Sequence, residues 1–213
     1  MKTIFIVNPN AGSGKRFNAT LQKIKQLSKS KENVGFYITK KALDAKEFVA
    51  DYCHNIGPAR FIACGGDGTL SEILNGTIGC ENAEIGVVPI GSGNDFCRNF
   101  DNRESFFDLE KQISGTCIDC DAIKYATKVN GETKEGYCAN MFNIGFDCSV
   151  ADMTNTIKSK TFFSGSMAYL VSIFINLIIY LHNFKAVCIA CNINPIIYFH
   201  YMFRHFRSAS LSK

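Results

Sequence analysis

The feature that most constrains this chain is the glycine-rich turn Cys64-Gly65-Gly66-Asp67-Gly68-Thr69-Leu70. The apolar run Phe61-Ile62-Ala63 precedes it, and apolar residues at helical spacing follow it as far as Asn75-Gly76. A strand that ends in glycines and opens a helix can bind an anion, because backbone N–H groups approach closely and the helix N-terminus favours negative charge. Asp67 would repel a bare phosphate. It is therefore expected to engage a phosphate-bound metal ion or a hydroxyl, or simply to cap the helix.

Short apolar segments alternate with helical patterns through the first hundred residues. Strands are predicted over 3–7, 34–38, 61–64 and 85–88, with amphipathic helices after the first two. This alternation predicts parallel βαβ units, in which ligands bind beyond the carboxyl ends of the strands. Polar or glycine-rich residues follow all four predicted strands, at 8–15, Thr39, 65–69 and 91–95. The fold rule brings these segments to one edge of the sheet and predicts a binding site there.

Charge is unevenly distributed along the 213 residues. Residues 1–60 hold 11 Lys and Arg against 4 acidic residues, whereas residues 61–152 hold 6 against 15. Residues 153–213 hold 6 basic residues and no Asp or Glu. The basic first segment suits phosphates or an anionic membrane surface, and no recognition motif supports nucleic-acid binding.

The ten cysteines and the N-terminus indicate a reducing compartment. Met1-Lys2 leads directly into a strand-like segment without a signal-peptide pattern, so a cytoplasmic protein is expected, with peripheral membrane association left open. The CxxC pairs at Cys117/Cys120 and Cys188/Cys191 lie too far apart in sequence for a usual zinc ribbon. Free thiols are therefore favoured over a zinc site.

Three groups of residues together resemble the diacylglycerol kinase catalytic-domain family, which includes bacterial lipid kinases and sphingosine kinases. NAD kinases are similar more distantly, through the GGDGT turn. The groups are Asn8-Pro9…Gly12…Gly14-Lys15, then Gly65-Gly66-Asp67-Gly68-Thr69-Leu70…Glu72…Asn75-Gly76, and then Pro89…Gly91-Ser92-Gly93-Asn94-Asp95-Phe96…Arg98. The resemblance implies an α/β fold: an NAD kinase/diacylglycerol kinase-like parallel-sheet nucleotide-binding domain, followed by the start of an antiparallel β-sandwich domain that is incomplete here.

The resemblance also implies a set of ATP-binding residues. Backbone N–H groups of 8–12 and 65–69 are expected to hold the triphosphate, and Lys15 to face phosphate or a lipid headgroup. Asp67 is the expected catalytic carboxylate. The residues expected to bind ATP are Asn8, Pro9, Asn10, Ala11, Gly12, Lys15, Thr39, Gly65, Gly66, Asp67, Gly68, Thr69, Glu72, Gly91, Ser92, Asn94 and Asp95. Glu72 could equally be a solvated helix residue.

The second half of the chain carries fewer signals. Strands are predicted over 116–126 and 136–146 around Asn130-Gly131, a strong hairpin turn, and a buried core helix over 167–181. The predicted division is a nucleotide-binding domain over 1–125, a partial β-rich domain over 126–185 and an aberrant tail over 186–213. The family's metal ligands and catalytic base are expected in a C-terminal segment that this chain lacks.

These observations favour an ATP- and Mg²⁺-dependent kinase that transfers the γ-phosphate of ATP to a lipid hydroxyl, such as that of diacylglycerol, at a membrane surface. Truncation is expected to make such activity doubtful. Two alternatives are a nucleotide-binding fragment without turnover and a kinase of a soluble acceptor such as NAD. No nucleic-acid partner is expected, and a homodimer is an allowed assembly.

Overall fold

The computed structural model describes residues 1–129, 132–140, 146–160 and 165–190. The chain divides into two compact units, Met1–Phe142 and Asn143–Lys213. The boundary predicted after residue 125 therefore falls within a strand of the first unit. Most of the predicted tail, from residue 191 onward, lies outside the described residues, as do the Asn130-Gly131 turn and residues 141–145.

A parallel four-stranded sheet forms the centre of the first unit, as predicted. Its strands are β1 (Thr3–Val7), β2 (Val34–Ile38), β3 (Arg60–Gly65) and β4 (Glu84–Pro89). They are ordered β2-β1-β3-β4, and all three pairings are parallel. The central strand β1 is buried along its whole length, which explains its continuous apolar sequence.

Helices cover both faces of this sheet. On one face, Leu21 and Ile24 of α1 (Gly14–Ser30) pack with Phe5 and Val7. On the other face, α2 (Asp44–Asn55) and α3 (Asp67–Gly76) pack against the alternate β1 residues, Ile4 and Ile6. The side-chain alternation along β1 thus places one residue set in each core, and burial of each large apolar side chain contributes about 1.5–3 kcal/mol.

Beyond β4 the structure departs from the sequence prediction. After β4 the chain forms two 3-10 helices, Phe96–Asn99 and Arg103–Phe107, and the short helix α4 (Leu109–Ser114). The antiparallel pair begins elsewhere than predicted, with β5 at Ile123–Val129 rather than from residue 116 and β6 at Glu132–Cys138 rather than from residue 136. Residues 116–122 are exposed and belong to no helix or strand, because the ladder ends at the Ile123–Cys138 pair.

Asn75 attaches β6 to α3. Its Nδ2 donates to the Tyr137 carbonyl at 2.8 Å, and its Oδ1 accepts the Tyr137 N–H at 2.9 Å. The same Nδ2 also donates to the Ser71 carbonyl at 2.8 Å, within α3. The Asn75 side-chain amide therefore pairs with the Tyr137 backbone as a neighbouring strand would. This contact holds the β5–β6 ribbon against α3 within the first unit.

A half-buried ion pair closes the amino-terminal end of β3 and β4. Arg60 Nε lies 2.6 Å from Glu84 Oε2, and Arg60 Nη1 donates to the carbonyls of Gln112 and Ile113. Burial acts to raise the pKa of Glu84, but hydrogen bonds from Arg60 and Cys117 and the guanidinium charge outweigh it. The pKa of Glu84 consequently lies below its ordinary value of 4.5.

We expect Glu84→Gln to lower the free energy of unfolding by about 1–2 kcal/mol at neutral pH, since a charge-assisted hydrogen bond is lost. A carboxyl whose pKa is depressed by folding stabilises the protein above its unfolded-state pKa. That contribution disappears as the pH falls through the folded-state pKa. Urea unfolding from about pH 7 to about pH 3 should therefore show the two proteins converging below about pH 4.5. A constant difference across this range would contradict the assignment.

In the second unit the described residues form two helices, α5 (Phe146–Lys160) and α6 (Gly165–Ala190). They pack through small and polar residues of α6, with Asn176 Nδ2 donating to the Ser172 carbonyl at 2.9 Å and lying 3.3 Å from Met153 Sδ. The helix predicted over 167–181 is confirmed, but its predicted burial is wrong, because Leu170 and Phe174 are 60% and 65% exposed. Apolar composition predicted the helix, but it could not show which faces have a packing partner. Among the described helices, none is long and apolar enough to cross a membrane.

Candidate functional site

Three glycine-rich loops meet at the carboxyl edge of the parallel sheet, as the sequence predicts. We call them loop 1 (8–15, after β1), loop 2 (65–69, between β3 and α3) and loop 3 (90–95, after β4). The Asn8 N–H donates to the Cys64 carbonyl at 3.0 Å, and the Ile90 and Gly91 N–H groups both donate to the Gly65 carbonyl at 3.1 Å. Asn8 Nδ2 further donates to Thr69 Oγ1 at 3.1 Å. Loop 2 is therefore hydrogen-bonded to both of its neighbours.

Several glycines are required by close contacts within and between these loops. Gly12 has φ +64, and a Cβ there would collide with the Ile90 carbonyl oxygen. A Cβ on Gly91 would collide with the backbone of Gly66, and a Cβ on Gly65 with the Thr69 side chain. Close packing against backbone atoms therefore explains Gly12 and Gly91, and packing against the Thr69 side chain explains Gly65, without any ligand.

Other glycines have no such explanation. A Cβ on Gly14 or Gly68 would meet nothing within 4 Å, and neither residue has positive φ. Gly66 is the N-cap of α3, and no side chain in the described part of the chain caps this helix. In the first turn of α3 the Thr69 N–H donates to the Gly66 carbonyl at 3.0 Å. The N–H groups of Asp67 and Gly68 have no acceptor among the described residues, so they are available to an anion above Gly68.

Asp67 does not cap its own helix. It is the first residue of α3, and its Oδ1 accepts the Phe96 N–H at 3.1 Å. A Cβ on Gly93 would lie 3.0 Å from Asp67 Oδ2 and 3.5 Å from Asp95 Oδ2, so both carboxylates approach the same glycine. Asp95 also pairs with the exposed Arg98 at 2.7 Å. The arrangement links loops 2 and 3 and places two carboxylates beside each other at the edge of the sheet.

Asn94 presents an unpaired polar atom in this region. It adopts φ +57, a conformation that Asn tolerates better than most residues, and its Nδ2 donates to the Gly91 carbonyl at 2.8 Å. Its Oδ1 is buried and has no hydrogen-bond partner in the described structure. A buried acceptor without a partner is costly, and a donor group supplied by a ligand would satisfy it.

The remaining predicted residues lie around the same edge. Asn8 Oδ1 accepts the Asn10 N–H at 2.9 Å and so shapes the turn containing Pro9, while Ala11 is buried beneath it. Lys15 and Ser92 are exposed. Thr39 is buried at the end of β2, and its N–H donates to the Val7 carbonyl at 3.0 Å. The structure brings all of these residues to the carboxyl edge of the sheet.

Glu72 has a structural role that the sequence did not reveal. Its Oε1 accepts the Leu43 N–H at 3.1 Å, and its Oε2 accepts the Ala45 N–H at 3.2 Å. Both carboxylate oxygens are thus bound to the N-terminus of α2. We therefore do not retain Glu72 among the residues expected to contact ATP directly. Asn75, three residues further along α3, likewise gave no sequence signal for its contact with β6.

Comparisons with known proteins identify the family of this chain. A family model described as the diacylglycerol kinase catalytic domain matches residues 2–125. "Putative lipid kinase YtlR" of Bacillus subtilis (strain 168) is 32% identical over 154 residues, which cover 68% of this chain and 48% of the relative. "Probable lipid kinase YegS" of Shigella flexneri is 32% identical over 133 residues, covering 60% and 41% respectively.

A solved structure described as "a putative diacylglycerol kinase from Bacillus anthracis str. Sterne" matches with a TM-score of 0.47 and 27% identity, covering 62% of this chain and 47% of that one. The chain spans about half the length of the curated relatives it matches. The family model alone covers more than half of this chain. The chain therefore has a kinase fold and belongs to the diacylglycerol kinase catalytic domain family.

Proposed function

We propose that this chain binds ATP with Mg²⁺ across its three glycine loops and is the nucleotide-binding part of a lipid kinase that phosphorylates a diacylglycerol-like hydroxyl. The observation that carries the proposal is the uncapped N-terminus of α3 beneath Gly68, whose missing side chain is required by neither packing nor φ. Backbone N–H groups at such a helix start bind phosphate oxygens. Lys15 of loop 1 adds a cation at the same edge.

The carboxylates fit an ion that arrives with the phosphates. Mg²⁺ is usually held by one or two carboxylates together with phosphate oxygens and water, and Asp67 and Asp95 offer such oxygens beside Gly93. Within the described residues, no three His, Cys, Asp or Glu side chains form a group that could hold a metal ion. We therefore assign Asp67, assisted by Asp95, to ion binding only in the presence of nucleotide, where Mg²⁺ would neutralise charge on the phosphates.

In the proposed reaction, the lipid hydroxyl oxygen forms a bond to the γ-phosphorus while the bond to the β-phosphate oxygen breaks and ADP leaves. The residues described here position the phosphates and ion, and Asp67 is the catalytic carboxylate. The hydroxyl proton must pass to a base. We assign no base among the described residues.

Phosphorylation assays with the purified chain test this function. Titration calorimetry would measure ATP affinity with Mg²⁺ and with EDTA. Transfer of labelled phosphate would be followed to diacylglycerol in mixed micelles, to sphingosine and to NAD. Mg²⁺-dependent ATP binding with lipid labelling is the expected result. Binding without labelling would indicate a nucleotide-binding module, labelling of NAD a soluble acceptor, and absence of ATP binding would overturn the proposal.

Association with a membrane surface is proposed through α1. This helix carries five exposed cations and no acidic residue: Lys15, Arg16, Lys23, Lys25 and Lys29. Basic residues close to an anionic bilayer contribute about 1 kcal/mol each. A cationic helix beside the nucleotide edge would therefore favour docking where a lipid acceptor is found.

We expect Lys23→Glu/Lys25→Glu/Lys29→Glu to reduce sedimentation with phosphatidylglycerol-containing vesicles by about 100-fold or more in partition coefficient. Reversal of Lys124, Lys128 and Lys134 on the β5–β6 ribbon, which are also exposed, is the charge-matched control. Binding should weaken as salt is raised, because screening shortens electrostatic range. Equal losses in the two triple variants would show that only net charge matters.

A further inference from the structure

Glu72 caps a helix to which it does not belong. The N-cap position of α2 is Leu43, which has φ +65 and offers no side-chain oxygen to the free N–H groups. The carboxylate of Glu72 supplies that oxygen across 29 residues of sequence, accepting the Leu43 N–H at 3.1 Å and the Ala45 N–H at 3.2 Å. Capping by a carboxylate also complements the positive end of the helix.

The segment that Glu72 holds, residues 39–45, connects β2 to α2 along the proposed nucleotide edge. Its first end is fixed by the Thr39 N–H, which donates to the Val7 carbonyl at 3.0 Å. Its second end contains Asp44, whose carboxylate accepts the Lys40 N–H at 2.7 Å and the Tyr37 hydroxyl at 3.1 Å. The two Asp44 bonds are local in sequence. Glu72 connects it to α3 and hence to the phosphate loop.

Two successive turns of α3 contact two different segments, loop 1 and the segment after β2. Thr69 Oγ1 accepts the Asn8 side-chain N–H from loop 1, and three residues later Glu72 reaches the segment after β2. Helix residues three apart share a face. The helix whose first turn is proposed to bind phosphate therefore sets the positions of both flanking segments.

We propose that Glu72 is a positioning residue of the nucleotide site, which holds residues 39–45 against α3 so that Thr39 stays in place to line bound ATP. The inference rests on the proposed function. It assigns Glu72 no contact with the nucleotide. It predicts that loss of the carboxylate releases the start of α2 and weakens ATP binding without unfolding the sheet.

The test combines amide hydrogen exchange with ATP calorimetry on the full chain. In Glu72→Ala, exchange of the Leu43 and Ala45 amides should accelerate about 5- to 30-fold, as expected for loss of an N-cap. The apparent ATP dissociation constant should rise about 3- to 10-fold, because a smaller fraction of molecules is binding-competent. Glu72→Gln keeps one acceptor oxygen, so both effects should be intermediate.

Two control variants separate this role from general destabilisation. Glu47→Ala removes a carboxylate from the first turn of α2 that forms an exposed ion pair with Lys41. Asn75→Ala breaks a different contact of α3, the one to β6. Neither should change exchange at Leu43 and Ala45 or ATP affinity by more than about twofold, although Asn75→Ala should lower stability.

Each outcome decides a different point. Unchanged exchange of the Leu43 and Ala45 amides in Glu72→Ala would show that Glu72 does not hold residues 39–45 against α3. Faster exchange with unchanged ATP affinity would overturn the positioning role. Similar loss of affinity in Asn75→Ala would show that Glu72 acts only through overall stability. If the unaltered chain binds no ATP, the proposed function fails and the nucleotide role of Glu72 fails with it. The exchange comparison still decides whether Glu72 holds residues 39–45 against α3. Glu72→Gln replaces Glu72→Ala in this comparison if Glu72→Ala does not fold.

Discussion

Asp67→Asn is expected to lower lipid phosphorylation by about 100- to 1,000-fold, the scale seen when one electrostatic group is removed from a transition-state site. The substitution keeps an oxygen that can accept the Phe96 N–H, which Asp67 Oδ1 accepts at 3.1 Å. Loop 3 therefore stays attached to α3 while the negative charge disappears. The Mg²⁺-dependent part of ATP binding should fall with the activity.

The stability of this variant distinguishes chemistry from folding. Its unfolding midpoint should remain within about 2 °C of the unaltered chain, because the hydrogen bond is retained. Asp67→Ala removes that bond as well and should also loosen loop 3. Asp51→Asn, at an exposed position on α2, is the matched control and should change neither quantity. Unchanged Mg²⁺–ATP affinity and turnover in Asp67→Asn would exclude Asp67 from the site.

Gly12→Ala should lower the free energy of unfolding by about 2–4 kcal/mol and weaken ATP binding strongly. Part of this cost comes from placing Ala at φ +64, where a Cβ is disfavoured by about 1–2 kcal/mol. The rest comes from collision of that Cβ with the Ile90 carbonyl oxygen, a backbone atom that cannot move without shifting loop 3. Urea unfolding and ATP calorimetry measure the two effects.

Gly14→Ala provides a matched control two residues away in the same loop. A Cβ there meets nothing within 4 Å, and Gly14 is the first residue of α1, where Ala is favourable. We expect stability to be unchanged or slightly higher. If ATP binding nevertheless weakens, the open space above Gly14 is used by the ligand. Equal destabilisation by Gly12→Ala and Gly14→Ala would contradict the packing account of loop 1.

Much of the first unit could be predicted from local sequence. Continuous apolar runs identified all four parallel strands, since strands covered on both faces need apolar residues at successive positions. Apolar residues four and three apart identified α1, with Leu21 and Ile24 buried as expected. The glycine loops could be placed at a common edge because parallel strands all end there. The second half was less predictable, because the ends of β5 and β6 depend on where their ladder stops.

Local sequence patterns were enough to predict the alternation of strands and helices and the set of residues that lie at the carboxyl edge of the sheet. Tertiary structure decided what each of those residues does. Gly12 and Gly68 look alike in a sequence motif, yet one is packed against the Ile90 carbonyl and the other faces open space. Likewise, Glu72 reads as a motif residue on a helix face, but its carboxylate caps α2. Such roles depend on which backbone atoms lie within a few ångströms of a side chain, and the partners are distant in sequence, so only the packed chain brings them together.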